Sequence, residues 1–169
     1  MDSLFLKQER MLVQTSTDII RELMNKIHWN NRLIAIRGSR GVGKTTLMLQ
    51  YIKLNYPPGS RIALYCTLDS IYFSNHTLLE LAEKFYLQGG KHLFLDEVHE
   101  LKAECQEKLF LFMDQGIYHR VGDNEKWYKS NVRIVFATTE DPGKVLLKTL
   151  IRRIPMTIMI PSLEERGTQ

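Results

Sequence analysis

The sequence has few cysteines and no hydrophobic run long enough to cross a membrane. Cys66 and Cys105 lie far apart and lack the spacing of a zinc site, so neither a disulfide framework nor bound zinc is expected. The N-terminus also lacks the basic and then apolar layout of a signal peptide. The 169 residues are enough for one packed core and few for two. We therefore expect a single cytoplasmic domain over residues 1–169.

The sequence also lacks a large excess of one charge sign. Lys and Arg number 23 against 19 Asp and Glu, and this small excess is spread along the chain. No basic tail is present, so we expect neither nucleic acid nor membrane as a partner. Trp127, Tyr128 and Lys129 do combine aromatic rings with charge, and a nucleic-acid-binding module stays open as one alternative. A hairpin that packs these rings on the domain is the other interpretation.

Short apolar runs alternate with helical patterns, which is typical of a parallel sheet covered by helices. The pattern predicts five strands, at residues 32–37, 62–67, 92–96, 132–138 and 156–160. It predicts helices at 44–56, 77–86, 103–114 and 145–151, and one or two more before residue 27. The polar stretch 122–130 is predicted to be a loop at the tip of a hairpin. The expected fold class is α/β.

A glycine-rich loop lies between the first predicted strand and the helix after it. Residues 38–45 match the pattern G-x-x-x-x-G-K-[ST]. Glycine permits the positive φ angles that turn successive backbone N–H groups toward a polyphosphate, and the helix adds the positive end of its dipole. We expect Lys44 to reach the outer phosphates and the Thr45 hydroxyl to bind Mg²⁺. The predicted nucleotide-binding residues are Gly38, Ser39, Arg40, Gly41, Val42, Gly43, Lys44, Thr45 and Thr46.

Two consecutive carboxylates follow the apolar strand at residues 92–96. Asp96 is predicted to hold Mg²⁺ together with Thr45, and Glu97 to polarise a water for attack on the γ-phosphate. An acidic residue after a strand can instead cap the next element, so this pair alone is a weak signal. Combined with the phosphate loop, it predicts magnesium-dependent binding of ATP or ADP and hydrolysis of ATP, with Lys44 and Glu97 among the catalytic residues.

These motifs, followed by VFATT at the end of the fourth strand, resemble the AAA+ branch of P-loop ATPases. The resemblance implies a three-layer α/β/α sandwich with a five-stranded parallel sheet ordered 5-1-4-3-2. It implies that Thr138 or Thr139 contacts the γ-phosphate, and that Arg152 and Arg153 reach the nucleotide of a neighbouring subunit in a self-associated form. On the alternative interpretation the threonine only ends a strand, and the arginines are solvated charges.

The resemblance divides along the chain. Residues 15 to about 100 are similar to prokaryotic AAA ATPases of poorly defined role. Residues from about 101 to 169 are similar to the AAA+ core of sigma-54-dependent transcription activators linked to sugar phosphotransferase regulation. The shared LFLDEVH strand places a seam near residues 92–101. An engineered chimera and a natural divergent family member are both consistent with this division.

Two features of those families are missing from the sequence. The GAFTGA loop by which the activators touch the sigma factor is absent, so contact with a sigma factor is not expected. The sequence stops where the helical lid of AAA+ proteins begins, so we expect weak hydrolysis. A folded P-loop scaffold without significant turnover is the alternative.

The five histidines show no metal-ligand spacing, and surface or strand-end positions are expected for all of them. His99 and Glu100 follow the acidic pair and could touch the site, although capping or surface roles are favoured for them.

Overall fold

Five parallel strands form the central sheet of the computed structural model, which describes residues 1–120 and 122–166, without the side chains of residues 108–111 and 113. An additional short antiparallel pair forms a hairpin beside it. In chain order the strands are β1 (Leu33–Arg37), β2 (Ala63–Thr67), β3 (His92–Asp96), β4 (Ile117–Tyr118), β5 (Tyr128–Lys129), β6 (Arg133–Thr138) and β7 (Met156–Met159). The pair β4 and β5 is the predicted hairpin, but β5 lies within residues 122–130, which were predicted to be a loop.

The order of the strands across the sheet is β2-β3-β6-β1-β7. Counted along the chain without the two hairpin strands, this is 2-3-4-1-5, which is the predicted order read from the opposite edge. The register places Thr67 beside Asp96, and Arg37 beside Thr138. Because all five strands run in parallel, their carboxyl ends meet at one edge of the sheet. That edge receives the loop after β1 and the acidic pair after β3.

The helices connect these strands as expected for an α/β fold. In chain order they are α1 (Asp2–Gln14), α2 (Leu23–Lys26), α3 (Lys44–Asn55), α4 (Leu78–Leu87), α5 (Ala103–Gln115), α6 (Pro142–Val145), α7 (Lys148–Ile151) and α8 (Leu163–Arg166), with 3₁₀ turns at Ile71–Ser74 and Val98–Glu100. The described helices include none with the length and apolarity needed to cross a bilayer.

The prediction of one helix over residues 145–151 is wrong. Two short helices, α6 and α7, are separated by Leu146 and Leu147, whose ψ angles of 147° and 140° are extended. The side chain of Gln106 makes this break possible, because it donates to the Val145 carbonyl and accepts from the Leu147 N–H. These bonds satisfy backbone groups at the break between the two short helices.

Two hydrophobic clusters cover the two faces of the sheet. Alternate residues of β3 enter opposite clusters: Leu93 and Leu95 pack with Phe85 of α4, whereas Phe94 packs with Met48 of α3. This alternation is the period of a strand, and burial on both faces is the environment of a parallel sheet between helices. The predicted three-layer sandwich is therefore confirmed.

The first helix covers one edge of the sheet. Gln8 of α1 is buried, and its Nε2 donates to the Ala63 carbonyl of β2 at 3.2 Å. Its Oε1 accepts from the Tyr65 N–H of the same strand at 2.5 Å. The side-chain amide thus makes the pair of bonds that a neighbouring strand would make.

The hairpin packs part of its aromatic surface. Tyr128 lies against Tyr118, with ring centroids 5.8 Å apart, and beneath the Arg120 guanidinium at 4.1 Å. Trp127 lies against His119 with ring centroids 3.6 Å apart, and it stays half exposed. Tyr128 therefore fits the interpretation of a packed hairpin, and Trp127 fits it only in part.

Candidate functional site

The glycine-rich loop joins the carboxyl end of β1 to α3. Gly41 and Gly43 have φ angles of 81° and 94°, in the left-handed region that favours glycine. At Gly38 a Cβ atom would lie 2.8 Å from the Val42 side chain and 3.0 Å from the Ile160 carbonyl oxygen. The three glycines are therefore needed for the shape of this loop. The first turn of α3 leaves backbone N–H groups without partners in the helix itself.

Lys44 begins α3 and is buried against the loop. Its Nζ donates to the carbonyl oxygens of Gly38 at 2.7 Å and Ser39 at 2.9 Å. An ammonium group has three donors, so one remains for another acceptor. Burial lowers the pKa of Lys44, and the nearby charges of Asp96 and Glu97 oppose this shift. The lysine thus lies over the loop, where the charges of both carboxylates favour its protonated form.

Asp96 ends β3 as a buried carboxylate that accepts three hydrogen bonds. Its Oδ2 accepts from the Thr45 hydroxyl at 2.5 Å and from the Tyr65 hydroxyl at 2.8 Å. Its Oδ1 accepts from the Glu97 N–H at 3.0 Å. The structure therefore brings together Thr45 and Asp96, the two residues predicted to share a metal ion.

Tyr65 was not among the predicted site residues. Burial raises its pKa, and the Asp96 carboxylate raises it further, so the phenol stays a hydrogen-bond donor. Only the pairing of β2 with β3 places this phenol next to Asp96, and no local sequence pattern indicates it.

Glu97 occupies an unusual backbone conformation at the end of β3. Its φ of 56° lies in the left-handed region, which a residue with a side chain adopts rarely. Its carboxylate lies 3.0 Å from Nε2 of His99. Such backbone strain is found most often at functional sites, where the surrounding structure holds it in place.

His99 links Glu97 to the end of β6. Its Nδ1 lies 3.3 Å from the Thr138 hydroxyl, which also accepts the Glu140 N–H at 3.1 Å. The capping or surface role predicted for His99 is wrong, because the ring is only 18% exposed and joins two predicted site residues. Of the two predicted threonines, the structure places Thr138 in this network, and Thr139 follows the strand.

Two arginines outside the motif lie beside the loop. The Arg166 Nη2 donates to the Val42 carbonyl at 3.0 Å. The Arg21 guanidinium lies so close to Gly43 that a Cβ there would be 2.7 Å from its Nη2. Burial lowers the pKa of Arg21, and the charge of Arg166 lowers it further. The two guanidinium groups make this side of the loop positive.

A cleft of about 370 Å³ adjoins the start of α3. Thr46 and Gln50 line it from α3. The other side is lined by the last residue of α1 and the segment after it, namely Gln14, Thr15, Ser16, Asp18 and Ile19. Gln50 Nε2 holds that segment by donating to the carbonyl oxygens of Ser16 at 2.9 Å and Ile19 at 3.0 Å. Thr46 was predicted from the motif, whereas the rest of the cleft depends on a chain return that the sequence pattern does not show.

Arg152 and Arg153 lie toward the amino ends of the strands, whereas the loop lies at the carboxyl ends. They precede β7, whose first residue, Met156, is paired with Ile34 near the start of β1. Arg153 lies 3.8 Å from Asp114 at the end of α5. The structure therefore does not bring these two arginines to the phosphate loop of their own chain.

The parallel α/β sandwich has a phosphate loop after its first strand and an acidic pair at the end of its third. This combination defines the class of P-loop nucleotide-binding proteins. A family model described as "AAA domain" matches residues 30–121, and this chain belongs to that family with an AAA+ core. The matched range includes the loop, the acidic pair and residues 92–101. The seam proposed within those last residues stays a prediction.

Among curated relatives, the chain is 58% identical over 79 residues to the transcriptional regulatory protein LevR of Bacillus subtilis. That match covers 47% of this chain and 8% of LevR. It is 30% identical over 179 residues to the Nif-specific regulatory protein of Azotobacter vinelandii, covering 92% of this chain and 34% of that protein. The chain thus spans about a third or less of each of these two relatives.

Solved structures share the fold. NtrX from Brucella abortus in complex with ADP superposes with a TM-score of 0.62 at 20% identity, over 96% of this chain and 40% of NtrX. NtrX in complex with ATP gives a TM-score of 0.59 at 21% identity, over the same shares of the two chains. These likenesses support the AAA+ architecture.

Proposed function

We propose that this chain binds ATP or ADP together with Mg²⁺ and hydrolyses ATP slowly. The observation that carries the proposal is the 2.5 Å contact between the Thr45 hydroxyl, at the start of α3, and the buried Asp96 carboxylate. A metal-binding hydroxyl, a carboxylate and a glycine-rich anion loop meet there, which is the combination that a magnesium nucleotide requires. The ADP and ATP complexes of NtrX, a protein of the same fold, agree with it.

The residues present fit a magnesium ion. Thr45 Oγ1 and Asp96 Oδ2 are hard oxygen donors of the kind that Mg²⁺ prefers, and they already lie side by side. When bound, the ion would neutralise negative charge that develops on the phosphates. Asp96 is held for this role by the Tyr65 hydroxyl and the Glu97 N–H.

Phosphates fit the loop and its lysine. Lys44 has a third donor beyond the two that it gives to loop carbonyls, and the loop glycines allow backbone N–H groups to face inward. The helix start and the two arginines beside Gly43 and Val42 add positive potential on the same side.

The nucleoside fits the cleft beside α3. Its volume of about 370 Å³ lies within the range of about 300–1,000 Å³ that is typical of small-molecule sites. Thr46 lines the cleft and directly follows the metal-binding threonine, so base and phosphates would lie on neighbouring residues of one helix.

Hydrolysis is assigned to Glu97 as the group that orients the attacking water, with Thr138 in contact with the γ-phosphate. The contact with His99 engages one carboxylate oxygen of Glu97, Oε2, and leaves the other for the water. A folded scaffold without turnover is the alternative, in which nucleotide binds but phosphate release equals that of a Glu97→Gln variant.

Calorimetric titration with ATP and with GTP, with and without Mg²⁺, tests the proposal. We expect ATP to bind with Mg²⁺, and to stabilise the fold by about 2.7 kcal/mol at a ligand concentration of 100 times Kd. Lys44→Ala should abolish binding and stabilisation, whereas the control Lys91→Ala, at an exposed lysine, should retain both. Equal binding by Lys44→Ala and the parent would contradict the proposal.

A further titration with single-stranded DNA tests whether nucleic acid is a partner. A nucleic-acid-binding module would bind single-stranded DNA with an affinity that falls steeply with salt and does not depend on Lys44. The relatives are named as regulatory proteins, and we propose nucleotide as the partner of this segment, without a sigma factor or nucleic acid.

A further inference from the structure

We propose that His99 is a positioning residue that couples Glu97 to Thr138, so that one imidazole ring sets both the water-orienting carboxylate and the γ-phosphate contact. This inference rests on the proposed function. It goes beyond that function because it gives His99 a role in telling ATP from ADP.

The ring lies between the two side chains. Its Nε2 is 3.0 Å from Glu97 Oε2, and its Nδ1 is 3.3 Å from Thr138 Oγ1. A weaker contact of 3.7 Å joins Nε2 to Glu100. The 3₁₀ turn that carries His99 lies against β6, which ends in Thr138. The two groups assigned to hydrolysis therefore belong to one connected hydrogen-bond network.

Hydrogen-bond donors and acceptors assign the tautomer of the ring. The Thr138 oxygen already accepts the Glu140 N–H at 3.1 Å, so its own proton can go to Nδ1 of His99. A neutral ring that accepts at Nδ1 carries its proton on Nε2, which donates to the Glu97 carboxylate. Each donor in this hydrogen-bond network then has an acceptor.

Glu97 is held from both ends by this arrangement. Its backbone N–H donates to Asp96 and its carboxylate accepts from His99. Its left-handed backbone, with φ of 56°, is a conformation that needs such support. The position of the carboxylate therefore depends on where the ring points.

A single proton makes the coupling specific for the γ-phosphate. The Thr138 hydroxyl can donate to His99 or to a phosphate oxygen, but not to both at once. A γ-phosphate that accepts this hydrogen bond leaves Nδ1 of His99 without its donor, and the ring is released to reorient together with Glu97. ADP lacks the γ-phosphate and leaves the hydroxyl on His99.

Nitrogen-15 NMR of the imidazole tests the coupling without requiring turnover. At about pH 8.5 we expect the Nε2–H tautomer in the nucleotide-free protein. Thr138→Val should shift the Nδ1 resonance, and Mg²⁺ with a non-hydrolysable ATP analogue should shift it in the same direction. Mg²⁺ with ADP should leave it in place. An Nδ1–H tautomer, or equal shifts with both nucleotides, would overturn the inference.

Substitutions separate the two arms of the ring. His99→Gln can place an amide near the Nε2 position and keep the bond to Glu97, whereas His99→Asn keeps only the Thr138 side. We expect His99→Ala to lower kcat about tenfold or more with the ATP Kd nearly unchanged, and His99→Gln to recover part of that loss. Glu100→Gln, which alters the weaker contact on the same nitrogen, serves as the control and should match the parent.

The outcomes distinguish this inference from the proposed function. If the parent protein does not bind Mg²⁺ with ATP in calorimetry, the proposed function fails, and the coupling fails with it. If the parent binds and hydrolyses ATP and His99→Ala has the same kcat, only the role of His99 is wrong. A purely structural His99 would lower the melting temperature in all three variants without separating Gln from Ala in kcat.

Discussion

The two ends of β3 both carry a buried polar side chain, but their surroundings differ. At the carboxyl end, Asp96 receives three hydrogen bonds, from Thr45, Tyr65 and Glu97. At the amino end, the described side-chain hydrogen bond of His92 joins its Nδ1 to the Tyr56 hydroxyl at 3.2 Å. Within the described residues, its Nε2 has no hydrogen-bond partner.

The amino end is built from rings. His92 lies 4.2 Å from the ring of Phe94, and Trp29 stacks on Tyr51 at 4.1 Å in the same cluster. Burial there lowers the pKa of His92 to about 3, with a smaller contribution from the charge of Arg133. A polar group without converging donors is thus part of the packing, and we place chemistry only at the end where donors converge.

The largest effect that would sharpen this comparison is at the carboxyl end. Glu97→Gln should lower phosphate release about 10²- to 10⁴-fold, because the water loses its orienting carboxylate. Nucleotide binding and the free energy of unfolding should change little. Unchanged turnover would remove Glu97 from its role, and the control Glu100→Gln should release phosphate at the parental rate.

The amino end predicts a pH dependence of stability instead. The folded state keeps His92 neutral down to about pH 3, whereas the unfolded chain takes up a proton below about pH 6.5. Stability from this residue is therefore complete above pH 6.5 and is lost as the pH falls, by about 2 kcal/mol at pH 5. Urea unfolding at about pH 5 and above about pH 6.5 measures this loss of stability.

A matched pair of variants tests the assignment to His92. His92→Phe should flatten the pH dependence, and His28→Asn, at an exposed histidine, should leave it as in the parent. Equal slopes in all three proteins would show that the amino end is not the source.

Two loop glycines separate backbone strain from contact with Arg21. Alanine at either Gly41 or Gly43 should cost about 1–2 kcal/mol of stability, because both φ angles are positive. Only Gly43→Ala also displaces the Arg21 guanidinium, so it should weaken ATP binding further. Equal Kd values for ATP in the two variants would show that Arg21 has no part in binding.

The smallest expected effect concerns contact between two copies of the chain, in which the arginines at the amino ends of the strands of one copy meet the phosphate loop of the other. If Arg152 or Arg153 of one copy reaches the phosphate loop of another, phosphate release per chain should rise a few-fold with protein concentration, and Arg152→Ala or Arg153→Ala should remove the rise. Light scattering alongside the assay reports the mass. A strictly linear dependence with a monomeric mass would leave both arginines as surface charges.

The sequence predicts the parts of the site that local patterns encode. The spacing from Gly38 to Thr45 fixes a loop, and parallel strands bring their carboxyl ends to one edge, so the meeting of Thr45 and Asp96 could be foreseen. Tyr65 could not, because its contact with Asp96 depends on strand register. The nearness of His99 to the acidic pair was visible in the sequence, but its contact with Thr138 depends on the path of a turn. The break between α6 and α7 depends on Gln106, a residue about 40 positions away in the chain.

Gln8 has a consequence for how molecules of this protein meet. An unpaired strand edge is a template on which another chain can add a strand. The amide of Gln8 occupies the Ala63 carbonyl and the Tyr65 N–H, so β2 cannot offer these groups to an incoming strand while α1 stays docked. One side chain thereby protects the molecule against growth of the sheet from that side.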